Sequence, residues 1–249
     1  MTAKFGSSPT ITNCTFRNSS APYAGGLYVH DTATIVNCRF ENNIASINIG
    51  GLFTRDGVVT DCTFTGNACE GFGGALIVEG AASGTTITNC VFEGNTAGEG
   101  GGIVVSYATN VTIDNCMITG NVASYAGGIS NYHKSDYVLS NSTVCGNTPN
   151  QIVGDYTDGG GNTIGTYCPD EDGILYVPGE YQTIQGAIDV ASSGQTVSIA
   201  AGTYYESGIN LNGKDIYIIG NLSESGMPET TIDAQLAGRA IYCNSNATF

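Results

Sequence analysis

Acidic residues recur at one place in a repeating pattern. Five residues past a glycine pair stand Asp31, Asp56 and Glu79, and at the same offset in later repeats Tyr107 and His133. His30 and Arg55 directly precede the first two. If successive repeats stack as neighbouring strands, the three carboxylates come about 4.8 Å apart. Hard oxygen ligands at that spacing suit Ca²⁺; the alternative is that polar turns of an acidic chain align three acids with no ion between them. Nothing else in the chain calls for a cofactor, so calcium is the only one expected. Arg55 and Asp56 are the nearest approach to a catalytic base and acid, since neither the outward column after the glycine pairs nor the one after the cysteines resembles a catalytic row. No catalytic residue is assigned beyond those two candidates. Next to them, Tyr28, Phe53, Leu76 and Val104 follow the glycine pairs and are expected to face outward. Such an apolar column is either a contact face for a glycan or protein partner or a surface covered by the chain's own turns.

What must position these residues is the repeat. A Cys-centred block occurs as Ile11-Thr-Asn-Cys14-Thr-Phe16, Ile35-Val-Asn-Cys38-Arg-Phe40, Val59-Thr-Asp-Cys62-Thr-Phe64, Ile87-Thr-Asn-Cys90-Val-Phe92 and Ile113-Asp-Asn-Cys116-Met-Ile118, and once with serine, Leu139-Ser-Asn-Ser142-Thr-Val144. Between blocks sit the glycine pairs Gly25-Gly26, Gly50-Gly51, Gly73-Gly74, Gly101-Gly102 and Gly127-Gly128. Self-similarity at a period of this kind marks a solenoid, propeller or array. Within each period apolar residues alternate over three to five positions, the pattern of short strands. One period is therefore one coil of a parallel β-helix with three strands, and the fold class is all-β. Asn or Asp before the cysteine tolerates the left-handed conformation of a sharp bend. A second corner falls five residues after the cysteine, at Asn43, Asn67, Asn95, Asn121 and, after Ser142, Asn147; the glycine pairs form a third, where positive φ is expected. The Ile, Cys and Phe positions should stack into inward ladders and build the core rung by rung.

Phe40-x-x-Asn43, Phe64-x-x-Asn67 and Phe92-x-x-Asn95, together with Gly73-Gly-Ala-Leu76, resemble the FxxN and GGA[ILV] motifs of polymorphic outer-membrane protein repeats. More broadly, residues 8–150 resemble right-handed parallel β-helix proteins of the pectin-lyase-like superfamily. That resemblance implies a right-handed coil and an extracellular or cell-surface setting. The superfamily contains polysaccharide lyases, hydrolases and epimerases, but a shared fold does not carry function.

The formal net charge of −15, from 22 acidic and 7 basic residues, argues against nucleic acid, whose phosphates demand cations. It fits an acidic protein outside the cell. Five of the nine cysteines occupy the inward Cys column, where small free thiols fill a ladder well. Cys69, Cys145, Cys168 and Cys243 lie off it. With only two histidines and no Cys-x-x-Cys, a zinc site is not expected. Neither a secretory signal nor a transmembrane run is present, and both ends look cut.

After Asn150 the pattern decays, with Gly159-Gly-Gly161-Asn-Thr-Ile164 as a last irregular coil. The domain boundary is placed at Cys168–Gly173, giving 1–168 and 174–249. Beyond it, Ile184, Ala187, Ile188 and Ala191 fall on one helical face, with Thr183 as N-cap. Strand-like Ile174-Leu-Tyr-Val177, this helix, and Ala201-Gly-Thr-Tyr-Tyr-Glu206 resemble the N-terminal cap and first coils of pectin-lyase-like β-helices, where such a helix plugs the open core. The chain thus reads as the back of one β-helix followed by the front of another. The function expected is a non-catalytic extracellular or surface module, adhesive, structural or glycan-contacting. The alternative is a carbohydrate-active enzyme present in part.

Overall fold

The computed structural model describes residues 2–3 (backbone only), 8–80, 84–166, 168 and 173–243. Most of the boundary placed at Cys168–Gly173 therefore lies outside the described residues. The chain forms two compact units, Met1–Thr166 and Tyr167–Phe249.

The first unit is a parallel β-solenoid. One coil runs through four short strands, Leu52–Thr54, Gly57–Thr60, Thr63–Thr65 and Ala68–Cys69, and each pairs in parallel with its counterparts in the coils before and after. The stacked strands make three seven-stranded sheets and a five-stranded fourth. The fourth sheet, following the second corner, was not anticipated from the repeat. Its members Ala68–Cys69, Thr96–Ala97 and Val122–Ala123 are only two residues long, too short to show alternation.

Each corner has its own chemistry. Asn13, Asn37, Asp61, Asn89, Asn115 and Asn141 all adopt φ between 47° and 57°, the left-handed bend expected before the cysteine. At the second corner the left-handed residue is one position earlier than expected, at Asn18, Asn42, Gly66, Gly94, Gly120 and Gly146. The asparagines that follow turn inward. Asn43, Asn67, Asn95, Asn121 and Asn147 are buried and form a continuous amide ladder. Asn67 Nδ2, for example, donates to Phe40 O at 2.8 Å and to Asn95 Oδ1 at 3.0 Å, while that oxygen also takes the Asn67 backbone N–H at 2.9 Å. Gln151 closes the ladder by accepting from Asn147 N and Nδ2. Burying these polar groups is tolerable because the ladder pairs them.

The third corner corrects the expected register. Positive φ belongs to the residue before the pair, at Ala24, Ile49, Gly73 and Gly100. The pair itself is glycine for want of room: a Cβ on Gly26 would stand 2.6 Å from Gly51 O. In the third coil the stacked pair is Gly74-Ala75, not Gly73-Gly74, because Gly50 N and Gly51 N donate to Gly73 O and Gly74 O. Everything after it shifts by one position. Leu76 is the Cα partner of Leu52 and Ile103 and is fully buried.

Inside, Phe16, Phe40, Phe64 and Phe92 stack face to face with centroids 4.6–5.0 Å apart. Cys38, Cys62, Cys90 and Cys116 form the thiol column, reduced and buried, and their sulfurs donate to strand carbonyls such as Val36 O and Thr60 O. Burial pushes the Cys38 thiol up, and the Cys69 thiol likewise. Cys14, in the first coil, is exposed. Cys145 and Cys168 are disulfide-bonded.

In the second unit, Ile174–Val177, Thr196–Ile199 and Tyr217–Gly220 form a parallel sheet, with further parallel pairs Gly202–Tyr204/Thr230–Ile232 and Ile209–Asn210/Ile241–Tyr242. The helix Ile184–Val190 buries Ile184, Ala187 and Ile188 among Leu175, Val197 and Ile209. Thr183 caps it through Gly186 N, and Glu206 takes the N–H groups of Ile184 and Gln185. At the other end Lys214 Nζ donates to the carbonyls of Ile188 and Asp189. The helix ends at Val190, with Ala191 as its C-cap. No helix among the described residues is long and apolar enough to cross a membrane.

Candidate functional site

The strands after the glycine corner present two outward columns. The first is Tyr28, Phe53, Ile77, Val104 and Ser130. Leu76, expected in it, points into the core instead, for the register reason given above. The column is also not an open contact face. Phe53, Ile77 and Val104 are 1–5% exposed and form a second apolar cluster with Ala24 and Ile49, flanked by half-buried Tyr28, Phe72 and Tyr132. Tyr28 stacks on Phe53 with centroids 4.5 Å apart. The cover is the overhang that follows the fourth sheet. Asn48 Oδ1 accepts from Phe72 N at 2.9 Å, Ile49 N donates to Phe72 O at 2.8 Å, and Glu99 N donates to Gly71 O at 2.9 Å. Hydrogen bonded coil to coil, this overhang makes a fixed wall over the sheet.

The second outward column carries the polar groups. Glu79 pairs with Ser106, and Ser106 with Tyr132. The pairing of Val78 with Thr54 sets Arg55 beside Glu79, and that of Tyr28 with Phe53 sets His30 beside Arg55. Glu79 therefore belongs to the row of His30 and Arg55. The row of Asp31 and Asp56 continues as Gly80, Tyr107 and His133, so the three carboxylates expected to hold calcium do not form one column. Among the described residues no group of three or more His, Cys, Asp or Glu side chains converges. Asp31 instead lies 3.7 Å from His30. Of the two catalytic candidates, Arg55 is half-buried, and its Nε is enclosed with no hydrogen-bond partner. The Asp56 backbone oxygen receives Ala33 N and Thr54 Oγ1 as part of the turn.

Between overhang and turn lies a groove of about 180 Å³. Phe72, Tyr107 and Tyr132 line it together with Asn48, Glu79 and Ser106, and the apolar Ile49, Ile77 and Val104 complete the lining. Its rings touch in sequence: Phe72 on Tyr132 at 5.0 Å, Tyr132 edge-on to His133 at 4.0 Å, and His133 stacked on Tyr107 at 4.0 Å. Tyr107 is 61% exposed, so a ring is offered to solvent at the rim. Glu79 is the one carboxylate among the lining residues. Apolar ring faces beside a few polar groups suit a small ligand that is itself apolar on one side and polar on the other. Asn48, Phe72, Ser106 and Tyr132 were not singled out from sequence. The alternation through Ser106 and Tyr132 was available as a signal, but the misplaced glycine pair hid its alignment with Glu79.

Residues 2–166 match the family model described as the right-handed β-helix region. No curated protein and no solved structure matches the chain.

Proposed function

The chain belongs to the right-handed β-helix family, and we propose that it uses that scaffold as a non-catalytic contact module outside the cell, with the groove beside Glu79 as its glycan-binding site. The observation that carries this reading is the lining itself. Phe72, Tyr107 and Tyr132 supply ring surface, and Asn48, Glu79 and Ser106 supply hydrogen-bonding groups within one groove. Sugars have both kinds of surface. Glycoside hydrolysis generally uses two carboxylates across the bond, whereas Glu79 stands alone among the lining residues. The charge of −15 and the disulfide-bonded Cys145 and Cys168 support an oxidising, extracellular setting. The kinship with pectin-lyase-like proteins and outer-membrane repeats belongs to the same proposal, on the motifs that carry it. So does the second unit as the cap and first coils of a further β-helix, which its helix packed on parallel strands supports.

One observation favours the enzymatic alternative: Arg55 and Glu79 are neighbours in one outward column. Incubation of the intact chain with a panel of polysaccharides separates the two readings. Retention of a polysaccharide with no increase in chain ends supports the binding module. Turnover that is lost in Arg55→Ala would replace it with the enzyme.

A further inference from the structure

We propose that the groove recognises an amino sugar, a saccharide ring bearing a free, protonated amine, with Glu79 as the partner of the ammonium group. This rests on the glycan reading above and names the ligand class of that same site. The pairs His30 with Asp31 and Arg39 with Glu41 both leave Glu79 out. Its neighbour in the column, Arg55, forms no salt bridge with it. Glu79 is half-buried beside Ile77 and Val104, which are 5% and 1% exposed. A carboxylate at an apolar floor interacts more strongly with a cation than one on open surface.

The rings around it act in the same direction. Tyr132 and Phe72 line the groove in contact with each other. An ammonium group near ring faces is attracted by their quadrupoles, and the C–H face of the sugar packs on the same rings. Asn48 Oδ1 is occupied by Phe72 N, so what Asn48 offers a sugar hydroxyl is its amide N–H. The volume of about 180 Å³ is below the roughly 300–1,000 Å³ of sites that enclose larger ligands, which fits one ring of a chain. The net charge of −15 attracts cationic saccharides and repels uronates and sulfated sugars.

Calorimetric titration of the intact chain with three tetramers tests this: glucosamine, N-acetylglucosamine and glucose. The glucosamine tetramer should bind about tenfold more tightly than the other two, and the advantage should shrink at high salt. Glu79→Gln should remove the advantage, and Glu93→Gln, on another sheet, should keep it. Equal affinities for the three tetramers, or an advantage that survives in Glu79→Gln, would overturn the amino-sugar assignment and leave the glycan reading standing. Absence of binding by all three, with Tyr132→Ala equally inert, would overturn both.

Discussion

Asn67 and Asn95 are joined through the wall of the solenoid, with Asn95 Oδ1 receiving both the side-chain and the backbone N–H of Asn67 at 3.0 and 2.9 Å. Both residues are fully buried. Asn95 in turn donates to Phe64 O and Asn121 Oδ1, each at 2.9 Å. Replacing Asn95 with Ala strands several of these groups out of reach of water, at about 1–3 kcal/mol each. Asn95→Ala should lower stability by about 3–5 kcal/mol, seen as a large drop in the urea midpoint. A loss of under about 1 kcal/mol would show that water or relaxation replaces the ladder.

Leu76 and Ile77 test the register of the third coil. Leu76 belongs to the main core and Ile77 to the smaller outward cluster beneath the overhang. Leu76→Ala should cost about 2–5 kcal/mol, and Ile77→Ala less, because the groove lets its surroundings adjust. Denaturant unfolding of the two variants compares them directly. The reverse order would restore Leu76 to the outer face.

The same pair shows where the sequence was legible. The ladders of Ile, Cys and Phe repeat with unmistakable chemistry, so the parallel coil and the left-handed bend before each cysteine followed from residue type and spacing, whereas the second corner lay one residue earlier than expected. Gly73-Gly74-Ala75 was ambiguous, because three small residues in a row allow two registers and Ala75 takes the place that the second glycine holds in the neighbouring coils. That single-residue slip misplaced Leu76 and joined Glu79 to Asp31 and Asp56. A slip of one residue in a strand moves every side chain to the opposite face. The overhang was beyond sequence reasoning, since Asn48, Phe72 and Glu99 are held by hydrogen bonds between coils rather than by any local pattern.

The buried thiols have a pH signature. Burial raises Cys38 and Cys69 above their ordinary value of 9.0, and burial also raises the Tyr137 phenol. Each favours the protonated folded form, so its contribution is complete below the unfolded value. Above about pH 9 the unfolded chain loses these protons first, and stability falls as pH climbs toward the folded values. Urea midpoints between pH 7 and pH 10 should decline only in the upper part of that range. In native protein Cys14 and Cys243, both exposed, should react with a thiol reagent well before Cys38, Cys62, Cys90 or Cys116. Rapid labelling of the column would contradict its burial.

Calcium supplies a further check on the register. With Glu79 in the row of Arg55, only Asp31 and Asp56 remain of the expected ligand set. Specific binding raises the melting temperature by stabilising the state that binds. Millimolar calcium should therefore shift wild type and Asp56→Asn equally. A rise confined to wild type would mean that the two aspartates hold an ion after all.

The groove is the proposed point of contact. Tyr107 lines it and is 61% exposed, so Tyr107→Ala removes ligand surface at little cost to folding. The direct measurement is calorimetric titration of wild type, Tyr107→Ala and Tyr132→Ala with the saccharide that wild type retains. Each ring is worth about 0.5–1.5 kcal/mol or more of contact, so each variant should bind several-fold to tenfold more weakly while melting as a folded protein. Affinity unchanged in both variants would place the contact elsewhere on the solenoid and contradict the proposal.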